Sequence, residues 1–455
     1  MPSKNVKFGQ LGVSGLTRYS GYVYEEFLSE LRWPWAGKVY KEMADNDAVV
    51  GAILYMAEML IRKVNWTVTP VSDKPIDKEA ADFLLTCMND MSSSWANTIN
   101  EVLSMLQYGF SFHEIVYKIR RGPSSSSRFR SKYTDGRVGW KRIPMRAQDT
   151  LHEWIFAEDG DIKGFVQLAP PNYKVVTIPL AKGLLFRTRV QKDNPEGKSL
   201  LRNAYRSWYF KKHIEEIEGI GIERDLAGFP VLVAPDGLDL WNTEDANMVT
   251  LKTTSENLIK SIRRDAEEGA LLPYGWDLKL LSTGSARQFD TSAIINRYDN
   301  RIAITMLSDI VLIGGDKTGS FALADTKKSL LASALEAQLQ AVADVFNSYA
   351  VPTLFSYNSF PGLKETPMIT PGQIETPDIK ELALMLKVMG VDITTDFELQ
   401  NCLRNILSLP AKSKEAFEAD KKEVKEKVNE NENDPLKDPL NNILDGTPPV
   451  NAKGE

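Results

Sequence analysis

The sequence predicts an α+β chain, predominantly helical, organised around a few long helices. Three observations point that way. Apolar residues recur at three- and four-residue spacing over much of the chain. Strand-type alternation is confined to short runs, chiefly between 140 and 190. Two long helical patterns bracket an insert of about fifty residues, and a glycine-containing loop and a third, alanine-rich helix follow.

The elements read in order as follows. Residues 36 to 63 carry Val39, Met43, Val49, Val50, Ile53, Leu54, Ala57, Leu60 and Ile61 at helical spacing, and Asp45, Asn46 and Asp47 mark a break with a fresh N-cap. Alternation then gives a short strand, Val64 to Pro70. Helices near 76 to 90 and 94 to 108 precede a strand at Phe112 to Tyr117. Between 140 and 190 two pieces alternate around turns, Asp159-Gly160 in the first and Pro179 to Gly183 in the second, as in a small sheet or two hairpins. Helix returns at 199 to 226, where Tyr205, Trp208 and Tyr209 form an aromatic stripe read as packing. The insert, 229 to 284, is a strand at Pro230 to Ala234, a helix at about 255 to 268 and a strand near Trp276 to Leu281. Helices at 291 to 312 and roughly 325 to 349 follow, the latter ending before Pro352. Residues 376 to 410 read as two helices with Gly390 as the C-cap between them. The Lys-, Glu-, Asn- and Pro-rich tail beyond Pro410 reads as disordered or as a fringe helix.

One stretch departs from the rest. Residues 120 to 142, "RRGPSSSSRFRSKYTDGRVGWKR", hold Arg120, Arg121, Arg128, Arg130, Lys132, Arg137, Lys141 and Arg142 against the single acid Asp135. Serines with Gly and Pro make a flexible loop: either a solvated hairpin tip or a contact for nucleic acid or an acidic partner.

Composition narrows the function. With 455 residues, 43% hydrophobic and 25% charged, the chain has ordinary soluble composition and length for about three domains. Cys87 and Cys402 lie far apart, and His113, His152 and His213 share no metal-ligand spacing, so neither a disulfide framework nor a metal site is expected. There is no apolar leader at Met1 to Asn5 and no run long enough to span a membrane, so an exported or integral protein is not expected. A net charge of −6 argues against tight, sequence-independent wrapping of DNA.

The glycine loop, "LIGGDKTGSFALADTKK" at 312 to 328, invites comparison with a phosphate-binding loop. The Gly314 to Gly319 spacing fits, but Ser320-Phe321 stands where Lys-Ser/Thr must follow, and Lys317 lies inside the loop. The segment before it continues a helical pattern rather than a strand. Gly219-Ile220-Gly221 likewise lacks the third glycine and preceding strand of a dinucleotide fingerprint. There is no nucleophile elbow and no HExxH, so no catalytic residue and no cofactor are assigned, and an enzyme is not expected.

Three blocks in this order resemble the bacteriophage portal protein family, most closely its Mu-type group: "WANTINEVLSMLQYGFSFHEIVYK" (95 to 118), "NPEGKSLLRNAYRSWYFKKHIEEIEGIGIERDLAGFPVL" (194 to 232), and the segment 296 to 358 containing the glycine loop. The resemblance implies a portal-type subunit. Residues 20 to 198 would be the wing, 199 to 228 stem helix 1, 229 to 286 the clip and 287 to 311 stem helix 2. A tunnel loop at 312 to 324, a return to the wing at 325 to 375, a crown at 376 to 410 and the tail 411 to 455 complete it. It further implies a dodecameric ring at one capsid vertex, assembled in the host cytoplasm, that passes double-stranded DNA in packaging and ejection. Partners would be the terminase large subunit, major capsid and scaffolding proteins, and head-completion or tail adaptor proteins; no membrane is implied. Gly314, Gly315, Asp316, Lys317, Thr318, Gly319 and Ser320 would face DNA. The basic stretch departs from a compact wing pattern, and its Arg120, Arg121, Arg128, Arg130 and Lys132 are read as a contact for packaged DNA or capsid. The alternatives are another head-assembly or scaffold-type protein and, third, a nucleotide-dependent enzyme using the glycine loop.

Overall fold

The computed structural model describes residues 14–158, 160–227, 229–242, 244–261, 271–281, 290–306, 321–374, 396–406 and 417–418. The chain divides into two units, Met1–Ile374 and Glu375–Glu455.

The first unit opens with a small hairpin, β1 (Arg18–Tyr19) and β2 (Tyr22–Val23), followed by α1 (Trp35–Asn46) and α2 (Ala48–Arg62). The break between the helices falls at the expected acidic residues. Asp47 caps α2, its carboxylate accepting from the N–H groups of Val49 and Val50 at 3.0 Å each. Next come β3 (Trp66–Thr69), α3 (Pro75–Asn89), α4 (Trp95–Val102) and α5 (Ser104–Tyr108). Ser94 caps α4, and Gly109, at φ +97°, closes α5 in the left-handed conformation that only glycine adopts freely.

The expected strand at 112 to 117 is two strands, β4 (Phe110–Glu114) and β5 (Val116–Ile119), parted at Ile115 and committed to different sheets. β5 pairs with β6 (Val138–Arg142), while β4 lies between β7 (Met145–Arg146) and β11 (Gly183–Arg187). The strands β8 (Leu151–Phe156) and β9 (Ile162–Ala169) form the first expected hairpin. The second does not form. Strand β10 (Lys174–Pro179) pairs back onto β9, and β11 joins β4. Burial explains the parting. β10 is exposed at nearly every position and suits an edge, whereas Gly183 to Phe186 are buried without interruption, so β11 belongs inside.

Beyond the sheets run α6 (Tyr205–Ala227), β12 (Phe229–Val233), α7 (Ala246–Ser261), β13 (Asp277–Leu281), α8 (Thr291–Thr305) and α9 (Phe321–Val345). Helix α7 starts earlier than the sequence suggests. Helix α9 starts at Phe321, so the last four residues of the expected loop at 312 to 324 are helical. The expected stop before Pro352 does not occur. A π-type turn at Phe346–Ala350, closed by the Val351 N–H bonding the Phe346 carbonyl, leads into α10 (Val351–Ser356), where Pro352 sits in the first turn. A final strand, β14 (Met368–Pro371), pairs with β3, and Asn347 holds it by two hydrogen bonds to the Ile369 backbone, at 2.8 and 2.9 Å.

Three cores result. In the largest, Leu331, Leu335, Leu339 and Val342 line one stripe of α9, continued by Phe346 of the π-type turn, against α2 to α5 and the faces of β6 and β11. The second holds the feet of the long helices: Leu201, Ala204, Tyr205 and Trp208 meet Ile302, Ala303 and Met306 over α1 and α2. The third packs Phe110, Phe112, Trp154 and Phe165 within the sheets. Fully burying side chains of this size contributes on the order of 2–3 kcal/mol each.

In the second unit the helix Phe397–Ile406 is capped by Asp396, which accepts from the Leu399 N–H at 3.1 Å, and Phe397 meets Phe417 edge-on with centroids 5.4 Å apart. Gly390, the expected helix junction, and most of the tail lie outside the described residues, as do Gly314, Gly315, Asp316, Lys317, Thr318, Gly319 and Ser320.

Candidate functional site

Two parts of the fold bring together residues that packing alone does not account for: the pair α6 and α8, and the β5–β6 hairpin.

Helix α6 begins inside the second core. Tyr205 and Trp208 of the aromatic stripe are buried there, while Tyr209 lies half exposed beyond it. One turn on, the helix leaves the core through a charged lock. Lys211 is almost fully buried, and its ammonium reaches Asp299 of α8 at 2.6 Å and the α2 cap Asp47 at 3.0 Å. Burial works to lower the Lys211 pKa, but the Asp299 and Asp47 carboxylates outweigh it and hold the group above the usual lysine value. Above the lock Phe210 stacks on Tyr298 at 6.4 Å, and Thr291 donates to Glu218. Pairings that rise along α6 from 211 to 218 fall along α8 from 299 to 291, so the helices are antiparallel. They carry between them the small unit of β12, β13 and α7, in which β12 and β13 pair antiparallel from Phe229↔Leu281 to Val233↔Asp277.

This outer part is poorly covered. Ile217 is 62% exposed and Ile220 51%, Ile304 of α8 is exposed as well, and a Cβ added to Gly219 or Gly221 would meet nothing within 4 Å. Gly219 and Gly221 lie within one unbroken helix, which disposes of the dinucleotide fingerprint. Glycine in a helix costs about 1 kcal/mol relative to alanine, and among the described residues no neighbour offsets it. On the small unit, Trp241, Leu271 and Tyr274 are exposed, with the Lys252 ammonium 3.7 Å from the Trp241 ring centre.

In the basic hairpin the structure sorts the cations. Arg120 is 2% exposed: it pairs with Asp135 at 2.7 Å and lies over the Tyr133 and Phe83 rings at 4.2 and 5.2 Å. Its expected role as a DNA or capsid contact is therefore corrected: burial takes it out of reach, and it holds the loop to α3. Lys118, which sequence reading passed over, does the same through Asp90 at 2.9 Å. Burial works to raise the Asp90 carboxyl, but hydrogen bonds from Lys132 N–H and Ser131 Oγ, with the Lys118 ammonium, hold it below the usual carboxylate range. Arg121, Arg128, Arg130 and Lys132 stay exposed, and the first two flank Phe129 at 4.7 and 5.5 Å.

A buried Ser–His pair lies nearby. Ser111 Oγ and His113 Nε2 are 2.7 Å apart, and His113 Nδ1 faces the Ile143 carbonyl at 3.1 Å, so Nδ1 carries the proton and Nε2 accepts from the hydroxyl. Both residues are fully enclosed, and burial pushes the His113 pKa down to about 4. The orienting group is a carbonyl and no substrate can reach the serine; the pair is part of the sheet interior. Among the described residues, no cluster of His, Cys, Asp and Glu is arranged to hold a metal, and no helix is long and apolar enough to cross a membrane.

Residues 37–398 match the family described as the portal protein of Mu bacteriophage, a span that takes in both long helices, the unit between them and the basic hairpin. The chain belongs to this portal family. Portal function comes with that membership, and the resemblance carried by the three sequence blocks is upheld. Two of those blocks meet in the fold: Gly109 and Gly197 approach so closely that a Cβ on Gly197 would lie 2.2 Å from the Gly109 carbonyl oxygen, and Ser199 donates to the Gln107 carbonyl. Among solved structures, the portal chain is similar to a chain in the virion of a native gene transfer agent particle, at 14% identity and a TM-score of 0.47. It is also similar to chains in the necks of empty and native particles of that agent, each at 13% identity and a TM-score of 0.46. All three alignments cover 82% of this chain and 94% of the other.

Proposed function

We propose that copies of this portal chain close into a dodecameric ring at one capsid vertex and conduct double-stranded DNA during packaging and ejection. The single observation that carries the reading is the antiparallel pair α6 and α8, locked at its base by Lys211 and uncovered above it. An isolated subunit gains little from helices that project out of their core with Ile217, Ile220 and Ile304 in water; side-by-side copies would cover them. The pair serves as the stem (199 to 228 and 287 to 311), the unit at 229 to 286 as the clip, and 312 to 324 as the tunnel loop. Residues 20 to 198 with 325 to 375 form the wing, and 376 to 410 the crown. Exposed Trp241, Leu271 and Tyr274 suit the clip as the docking face for the terminase large subunit and then for head-completion and tail adaptor proteins; capsid and scaffolding proteins surround the wing. Assembly takes place in the host cytoplasm, and the role is structural.

A channel for DNA must not grip phosphates, and an acidic chain of net charge −6 meets that need by like-charge repulsion. Within the tunnel loop, Lys317 supplies one exchangeable cation per subunit, and Gly314, Gly315 and Gly319 allow the loop to yield. The reading is tested by mass photometry of the purified chain. A particle near twelve times the 51.0 kDa chain mass is expected. A stable monomer that hydrolyses ATP refutes it and restores the nucleotide-enzyme alternative.

A further inference from the structure

The basic hairpin is built in a way the channel reading does not use. Its one acid and those of α3 beside it are consumed internally: Asp135 by Arg120, Asp90 at the end of α3 by Lys118, Ser131 and the Lys132 N–H, and Glu79 of α3 by Arg137 at 2.7 Å. These bonds pin the loop to α3 and leave its remaining cations without a carboxylate partner among the described residues. Arg121, Arg128, Arg130, Lys132 and Arg142 are exposed, and Lys141 is half-buried. Phe129 lies between Arg121 and Arg128 and steadies both guanidinium groups while leaving their N–H forks free. Arg130, Lys132 and Lys141 lie at a cleft of about 360 Å³ whose lining also includes Met91, Pro123 and the Asp90 that Lys118 already pairs.

We propose that this loop is a second contact for the phosphate backbone of double-stranded DNA, separate from the stem helices and independent of base sequence. A phosphate fits better than an acidic protein surface because the fully exposed groups of the strip are arginine, lysine and serine side chains, with Phe129 only partly exposed beneath two of them. Among the described residues no large hydrophobic side chain between 120 and 142 is exposed, whereas protein interfaces surround a desolvated apolar or aromatic core. Arginine forks, lysines and the run Ser124 to Ser127 are the groups that bind phosphate oxygens without reading bases. The buried locks at Asp90 and Arg120 keep the cations in place, so little ordering entropy is lost when DNA docks. That the duplex is DNA rests on the portal reading.

The test is fluorescence anisotropy of the full-length chain with a labelled duplex of mixed sequence over a salt series. The quadruple variant Arg121→Ala, Arg128→Ala, Arg130→Ala, Lys132→Ala should bind at least about tenfold more weakly at low salt. Its slope of log affinity against log salt should be shallower by up to about 3.6, near 0.9 for each phosphate that is no longer neutralised. Replacing the three arginines by lysine should keep most of the slope. Equal affinity and slope for wild type and quadruple variant, or no duplex binding by the wild type, overturns the proposal, as does polyglutamate competing as well as unlabelled DNA. Should the quadruple variant unfold, Ser124→Glu with Ser127→Glu adds opposing charge without removing a cation, and must weaken binding likewise. Particle mass is read in parallel: loss of the ring with duplex binding retained counts against the ring and not against the loop.

Discussion

Lys211 ties the base of α6 to α8 and to the cap of α2. Replacing it by methionine keeps the stem and removes the charge, and leaves Asp47 and Asp299 facing each other across a site where the lysine and Asp47 side chains are only 6% and 4% exposed. Stranding a buried carboxylate costs roughly 3–5 kcal/mol; Asp47 also accepts two helix N–H bonds, which places the expectation near the lower end. For a cooperative unit of this size, Met1–Ile374, that is a fall in Tm of about 4 °C. Differential scanning fluorimetry reads it directly. The compensated variant Lys211→Met, Asp47→Asn, Asp299→Leu keeps the α2 cap, removes both orphaned charges and should recover most of the loss. The sign with pH follows from the raised lysine pKa. The contribution is fully present below the ordinary lysine value of 10.5 and is lost as pH rises through the higher folded value. The gap between wild type and variant should therefore be constant from neutral pH to mildly alkaline pH and shrink only above that range. A fall of less than about 2 °C, or a compensated variant no better than the single one, would refute the lock.

The other predictions concern residues with different duties. Arg120→Ala should destabilise the chain by about 3 kcal/mol, and Arg121→Ala by no more than about 0.5 kcal/mol, as chemical denaturation will distinguish. Gly109→Ala combines a left-handed φ with a Cβ 2.5 Å from the Glu196 carbonyl oxygen, and should cost about 1–3 kcal/mol or more and lower soluble yield. Ile217→Glu should leave the Tm of the dissociated chain within about 2 °C while shifting particle mass toward smaller species, because that side chain is exposed in the single chain and the proposed ring would cover it. Lys317→Ala should leave ring assembly intact and change DNA packaging or retention at most; failure to assemble would remove the tunnel assignment.

Much of the helical framework is legible in the sequence because its signals are local. Asp47 announces a helix start by standing directly before an apolar-periodic run, and Gly109 ends one for the same kind of reason. What decides β10 and β11 is distant: β11 finds its partner β4 some seventy residues back, and local alternation around Pro179 to Gly183 resembles a hairpin whichever partner wins. The π-type turn that lets α10 run through Pro352 leaves no local mark either. The candidate site divides in the same way. Two long helices around an insert can be read from periodicity, but Lys211 looks like any helical lysine until α2 and α8 close over it. Arg120 looks like its neighbour Arg121 until Tyr133, Phe83 and Asp135 surround it. Composition marks a basic loop; only packing separates the cation that holds the loop from those that face outward.

In the proposed ring, α6 and α8 are the elements that neighbouring copies must cover. Cryo-electron microscopy of the purified chain measures that directly. The prediction is a closed ring whose central channel is wide enough for a DNA duplex and is lined by α6 and α8 of every copy, with Ile217 and Ile220 buried between neighbours. A ring with those helices on its outer rim, or a chain that stays monomeric at high concentration, would contradict it.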